Sequence, residues 1–126
     1  MEKKPYLKVT DIKAYKSAFE LSNEVWEIVI KWRIFEKDTL GKQFVRAIDS
    51  ISANIAEGFG RHHKNDKIRF YIIARGSLLE CMDWIEKIKT RNLIDNEQYE
   101  KITTTLKTLP KLINSLIKQT KENLSE

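Results

Sequence analysis

The chain has 126 residues, 41% hydrophobic and 33% charged, with four glycines, two prolines and a net charge of +5. That is enough for one domain with a real core, and its wealth of Lys, Glu, Leu and Ile favours helix over sheet. One cysteine excludes an intramolecular disulfide, and no apolar run is long enough to span a bilayer or to resemble a signal peptide, so a soluble cytoplasmic protein is expected.

The first ten residues, MEKKPYLKVT, read as a loose arm, with Pro5 ruling out a helix across it. Thr10 or Asp11 is positioned to cap a first helix over about 12–33, whose apolar stripe is Ala14, Ala18, Leu21, Val25, Ile28 and Trp32. A short turn at Phe35–Asp38 follows, with Asp38 or Thr39 as cap of a second helix over about 39–58. There Phe44, Ile48, Ile51 and Ile55 form one stripe among small residues, and Gly58 and Gly60 are expected to stop the helix in the left-handed conformation.

Asn65 or Asp66 is the natural cap of a third helix over about 65–90, built on Tyr71, Ala74, Leu78, Cys81, Ile85 and Ile88. Ile68, Ile72, Leu79 and Met82 widen its apolar face on one side, and Phe70, Ile73 and Trp84 widen it on the other. Arg69, Gly76, Glu80, Asp83 and Lys87 form its polar strip. A helix apolar over so much of its circumference predicts cover by a second copy, so Phe70, Ile73 and Trp84 are the expected oligomer interface.

Arg91-Asn92 closes the third helix, and Asp95 caps a fourth over about 95–120, with Tyr99, Ile102, Leu106, Leu109, Ile113 and Leu116 inward. Pro110 predicts a kink, and the polar tail from Lys118 predicts fraying. Short connections make the fold an all-α, antiparallel up-down four-helix bundle in a single domain, 1–126.

No catalytic constellation emerges, and no metal or cofactor is expected. His62 and His63 are adjacent in a loop, Cys81 lies on an apolar stripe, and Glu20, Glu24 and Glu27 are flanked by Lys16 and Lys31 as a solvated face. The glycines of Gly58-Phe59-Gly60-Arg61 follow a helix instead of preceding one, unlike a phosphate-binding loop.

Charge is the better guide. Residues 42–75 carry seven Lys/Arg against three Asp/Glu, residues 1–41 carry eight against seven, and residues 76–126 carry eight of each. A localised basic excess attracts polyanions. The candidate nucleic-acid-binding residues are Arg46, Arg61, His62, His63, Lys64, Lys67 and Arg69, the imidazoles joining on protonation. Arg75, on the Leu79 side, reads as an ion-pair residue. Asn54 reads as a register-fixing hydrogen-bond residue and Glu57 as the partner of Arg61, four residues on.

Gln43-Phe44-Val45-Arg46-Ala47, Ser50-Ile51 and above all Asn54-Ile55-Ala56-Glu57-Gly58 with Arg61 resemble a known signature. So do Ala74-x-Gly76-Ser77-Leu78-x-Glu80, Val25-Trp26 and Phe35. It is that of the four-helix-bundle proteins encoded in intervening sequences of bacterial large-subunit (23S) ribosomal RNA genes. The chain departs from it at Ser52, where the family commonly has proline, and at Glu36, where proline often follows the phenylalanine. The resemblance implies a bundle that assembles into a homo-oligomeric ring, often a pentamer. It also implies similarity to accessory proteins of diversity-generating retroelements, which associate with nucleic acid and a reverse transcriptase.

Two functions are therefore expected in competition. One is a non-enzymatic oligomer that binds RNA or DNA, structured RNA foremost. The other is a protein-interaction scaffold or retroelement accessory protein, whose partner would be a nucleic-acid-processing protein.

Overall fold

The computed structural model describes residues 8–123. Four long helices fold antiparallel: α1 (Lys13–Val29), α2 (Lys42–Phe59), α3 (Lys64–Thr90) and α4 (Asn96–Glu122). Most of the arm expected at residues 1–10, including Pro5, lies outside the described residues. Its last part forms a 3₁₀ turn, Val9–Asp11.

The stripes of α2 and α3 are buried as their spacing requires. Phe44, Ile48, Ile51 and Ile55 are buried, as are Tyr71, Ala74, Leu78, Cys81, Ile85 and Ile88. Ile102, Leu106, Leu109, Ile113 and Leu116 of α4 join them, while Tyr99 is only half-buried. On α1 the inward stripe ends on Val29, with Ile28 and Trp32 half-buried at its edge. Each large side chain removed from water contributes roughly 1.5–3 kcal/mol, so these stripes hold the bundle together.

The helix ends depart from the expected caps. Ile12, in extended conformation, precedes α1 without a side-chain cap. The Asp11 carboxylate instead accepts from the Lys8 backbone N–H at 3.2 Å, closing the 3₁₀ turn. α1 also ends at Val29, short of residue 33, because Lys31 and Trp32 donate three residues back, to Ile28 and Val29, in a tightening turn.

The lead-in to α2 is helical from Ile34, passing through a π-helical turn at Lys37–Gly41. Thr39 therefore lies inside helical structure and caps nothing. Its hydroxyl donates to the Phe35 carbonyl at 2.7 Å. His63, not Asn65 or Asp66, precedes α3, again without a side-chain cap.

Two ends are capped as the sequence predicts. Asp95 accepts from the Gln98 N–H at 2.8 Å, and Gln98 Oε1 accepts from the Asp95 N–H at 3.0 Å, a reciprocal capping box. Asn92 adopts φ 62°, the Asn92 N–H reaches the Lys89 carbonyl at 3.1 Å, and the Leu93 N–H reaches Ile88 at 3.1 Å. This left-handed closure of α3 is a Schellman motif, and asparagine tolerates it better than most residues.

α4 runs from Asn96 to Glu122 with Pro110 inside it. Its end is ordered beyond Lys118, where fraying was expected, because Leu116 and Ile117 are buried and Lys64 Nζ donates to the Lys121 carbonyl at 3.3 Å.

Gly58 and Gly60 were expected to end α2 in left-handed geometry, and they do not. No glycine among the described residues has a positive φ, and Gly60 sits at φ −79°, ψ −7°. Gly58 is instead a point of close approach. A Cβ there would lie 2.7 Å from Tyr71 Cε1, 3.0 Å from the Lys67 carbonyl oxygen and 3.0 Å from Phe70 Cβ. Gly76, in mid-α3, is the opposite case, with nothing within 4 Å of its would-be Cβ.

Between these two glycines the surrounding space decides the effect of alanine. Gly58→Ala should destabilise by about 1–3 kcal/mol through overpacking. Gly76→Ala should stabilise the protomer by up to about 1 kcal/mol through helix propensity. Urea denaturation at low protein concentration, followed by circular dichroism, checks both signs.

Candidate nucleic-acid interface

The approach at Gly58 fixes how α2 passes to α3, and so where the basic residues of the loop stand. Lys67 reaches back across the loop, its Nζ donating to the Phe59 carbonyl at 2.8 Å and lying 5.5 Å from the Phe59 ring centroid. Partial burial there lowers the Lys67 pKa from its ordinary value. Arg61 pairs with Glu57 at 2.8 Å, as its spacing predicts, and its guanidinium lies 4.6 Å from the Phe70 ring centroid. Arg69 lies 5.6 Å from the same ring and 3.6 Å from Asp66. His62 and His63 are exposed and meet edge to face at 4.9 Å.

Arg61, His62, His63, Lys64, Lys67 and Arg69 are thus brought to one end of the bundle. Arg46 is not among them. It lies roughly 20 Å away along α2, at 1.5 Å per residue, and its Nη2 contacts Glu80 of α3 at 2.5 Å. Arg75 turns to α4 and donates to Asn114 Oδ1 at 2.5 Å, so its partner is an amide and not the carboxylate an ion pair needs.

The sequence-based set missed part of this end. Antiparallel folding brings the start of α1 and the end of α4 to the α2–α3 loop. Lys8, Lys13, Lys118 and Lys121 therefore join Arg61, Lys64, Lys67 and Arg69 there, against Asp11, Glu57, Asp66 and Glu122. Residues 76–126 are neutral as a whole, and only the alternation of helix ends reveals that their lysines contribute.

The signature run around Asn54 is structural. Asn54 Nδ2 donates to the Ser50 carbonyl of its own helix at 2.8 Å, so it does not bridge helices. The bridge between α2 and α3 is made by the Ser50 and Ser77 hydroxyls, 2.9 Å apart. Ile55 is fully buried, Ala56 is half-buried and Gly58 admits Tyr71.

Of the flank expected to meet another subunit, Ile73 is 45% exposed, while Phe70 and Trp84 are half-buried. Trp84 Nε1 donates to Glu80 at 3.3 Å, and Lys87 Nζ lies 4.7 Å from its ring centroid. Trp84 also lines, with Phe35, Glu36 and Arg91, a cleft of about 590 Å³ at the far end of the bundle.

Among the described residues no three metal-ligating side chains cluster, and no helix is long and apolar enough to cross a membrane. Cys81 is fully buried, and burial, reinforced by Glu80, pushes its thiol from 9.0 up to about 12.

These features define the class: an antiparallel four-helix bundle with a basic end. The family model for the 23S rRNA-intervening sequence protein matches residues 10–115, and the chain belongs to that family. Its fold is similar to the crystal structure of a protein of unknown function from the S23 ribosomal protein family of Bacteroides thetaiotaomicron. That similarity has a TM-score of 0.74 at 26% identity, covering 83% of this chain and 98% of the other. No curated protein matches the chain.

The Cys81 environment makes a direct prediction. The native thiol should resist Ellman's reagent at pH 8 and react fully once denaturant is added. Because the folded pKa is the higher one, the unfolded thiol ionises first as pH rises. The stability this group contributes is complete below about pH 9 and is lost as pH climbs from 9.0 towards 12.

Proposed function

We propose that the chain is a non-enzymatic nucleic-acid-binding protein that engages structured RNA, in preference to DNA, through the basic end of the bundle. The observation that carries this reading is the convergence at that end of cations from three places: the α2–α3 loop, the start of α1 and the end of α4. Arg61 and Arg69 retain side-chain exposures of 41% and 66% despite their internal partners. Their guanidiniums are held over Phe70, which orders them before a phosphate arrives. Family membership favours RNA as the polyanion.

A second reading, a scaffold for a nucleic-acid-processing protein, draws on α1. Phe19, Trp26 and Ile30 are 49%, 52% and 41% exposed along its outer flank, with Tyr15 stacked on Phe19 at 5.8 Å. Partner recovery that survives nuclease treatment supports the scaffold, and recovery that is lost supports RNA binding.

Filter binding with ribosomal RNA fragments over a range of salt concentrations tests the first reading. Affinity should fall linearly on a log–log plot, because each phosphate contact releases counterions. Arg61→Glu with Lys64→Glu should weaken binding roughly tenfold or more and flatten the slope by about one for each phosphate that is no longer neutralised. No binding at low salt, or binding indifferent to the charge reversal, overturns it.

A further inference from the structure

The end of the bundle opposite the basic loop holds charge that the protomer does not pair. The cleft of about 590 Å³ there lies between the lead-in to α2 and the last turns of α3. Three ionic side chains line it, Glu36, Asp38 and Arg91, and none makes a side-chain hydrogen bond or ion pair with a described residue. Glu36 is the most telling of the three. Its Oε1 is closed to solvent and has no hydrogen-bond donor. A carboxylate partly stripped of water and left without a donor carries a desolvation cost, which a cation in the cleft offsets.

The walls, in contrast, are fixed from behind. Trp84 Nε1 donates to Glu80 at 3.3 Å, and Glu80 accepts from Arg46 Nη2 at 2.5 Å. Arg46 also donates to Gln43 Oε1 from Nε and Nη2, each at 3.3 Å, which leaves the Gln43 side-chain N–H groups to the cleft. Arg46, placed by charge alone among the nucleic-acid-binding residues, thus steadies two walls of this cleft. Phe35, 74% exposed, contributes a second aromatic ring. Aromatic walls with a few convergent polar groups are the usual make-up of a binding site.

We propose that this cleft binds an arginine side chain presented by a partner polypeptide. Two carboxylates against one guanidinium make the lining net negative, which favours a cation. A nucleotide would bring its phosphates to Glu36 and Asp38 and is disfavoured. Arginine suits better than lysine, because a planar guanidinium stacks on aromatic rings while its fork of N–H groups serves carboxylates. Arg91 decides between a free cation and a peptide. A free cation only repels it, whereas a peptide also brings backbone carbonyls, which accept from Arg91 and from the Gln43 amide. Lys87, 4.7 Å from the Trp84 ring centroid, is neutralised by Asp83 at 2.6 Å and does not reverse the sign. The site lies a bundle's length from Arg61 and Lys64, so it stands apart from RNA binding.

The test is an NMR titration of the whole chain that reads the Trp84 indole N–H, with Trp26 on the outer flank of α1 as reference. Acetyl-Gly-Arg-Gly-amide should shift the Trp84 signal saturably, and more weakly as salt rises. The same peptide with citrulline, the neutral isostere, should bind at least about tenfold more weakly, and the lysine peptide should fall between them. Glu36→Gln combined with Asp38→Asn should abolish the response while helicity by circular dichroism is unchanged. Arg91→Ala should weaken the peptide yet strengthen agmatine, which carries a guanidinium and no carbonyl. Charge reversal at Arg61 and Lys64 should leave peptide binding intact.

A Trp84 signal unmoved by the arginine peptide overturns the proposal, as does a citrulline peptide that binds equally well. Guanosine monophosphate that saturates the site where the peptide does not would assign it to a nucleotide, with the same consequence. Agmatine that matches the peptide, with Arg91→Ala weakening neither, overturns the polypeptide assignment. Should the double variant lose helicity, the citrulline comparison decides alone.

Discussion

A side chain at position 58 would have nowhere to go. The Tyr71 ring and the Lys67 carbonyl stand against the α carbon of Gly58, and the closeness of α2 to α3 at this point governs much else in the molecule. It lets the Ser50 and Ser77 hydroxyls meet two turns away and Arg46 reach Glu80 a further turn along, so the two helices are in register along their shared length. Close packing of this kind tolerates no added methyl group without a shift of backbone or ring. The glycine is thus a steric requirement, and the turn that follows it uses ordinary right-handed geometry.

The same approach determines what the basic loop is able to do. Cations that merely followed a frayed helix end would be mobile, and ordering them would oppose binding. Here Lys67 satisfies the last carbonyl of α2, and Lys64 satisfies one near the end of α4. Both positions also suit cations electrostatically, because the C-terminal end of a helix carries partial negative charge. Two of the lysines at this end are therefore partly engaged in closing helices. Arg61 and Arg69, held over Phe70 and more exposed, are the side chains best placed to meet a ligand.

Much of this was legible in the sequence, and the reasons differ from place to place. The α2 and α3 stripes could be read residue by residue because a helix facing one core repeats its apolar positions at fixed spacing. Asp95 and Asn92 could be read because their functions are local, requiring only the next few backbone groups. The Asp11, Thr39 and Asp66 caps failed for a related reason. Suitable residue types stood near the helix starts, but a 3₁₀ turn and a π-helical lead-in displaced the first two starts, and α3 begins directly after His63. Gly58 was misread because its constraint comes from Tyr71, thirteen positions away in sequence, and local rules for helix ends contain no such neighbour. Lys118 and Lys121 were overlooked for the same reason. Their membership of the basic end follows from topology, whereas Arg46, close to that end in charge statistics, is carried off by most of the length of a helix.

The central claim is that the α2–α3 pair is the rigid frame from which the remaining parts are positioned. Native-state hydrogen exchange tests it most directly, because it ranks segments of one molecule by the free energy needed to open them. The account predicts that amides of Ile48–Gly58 in α2 and Tyr71–Ile85 in α3 exchange only through global unfolding, while those near the end of α4 open at lower cost. Protection that is greatest in α1 or α4, with α2 and α3 exchanging through local opening, would contradict it.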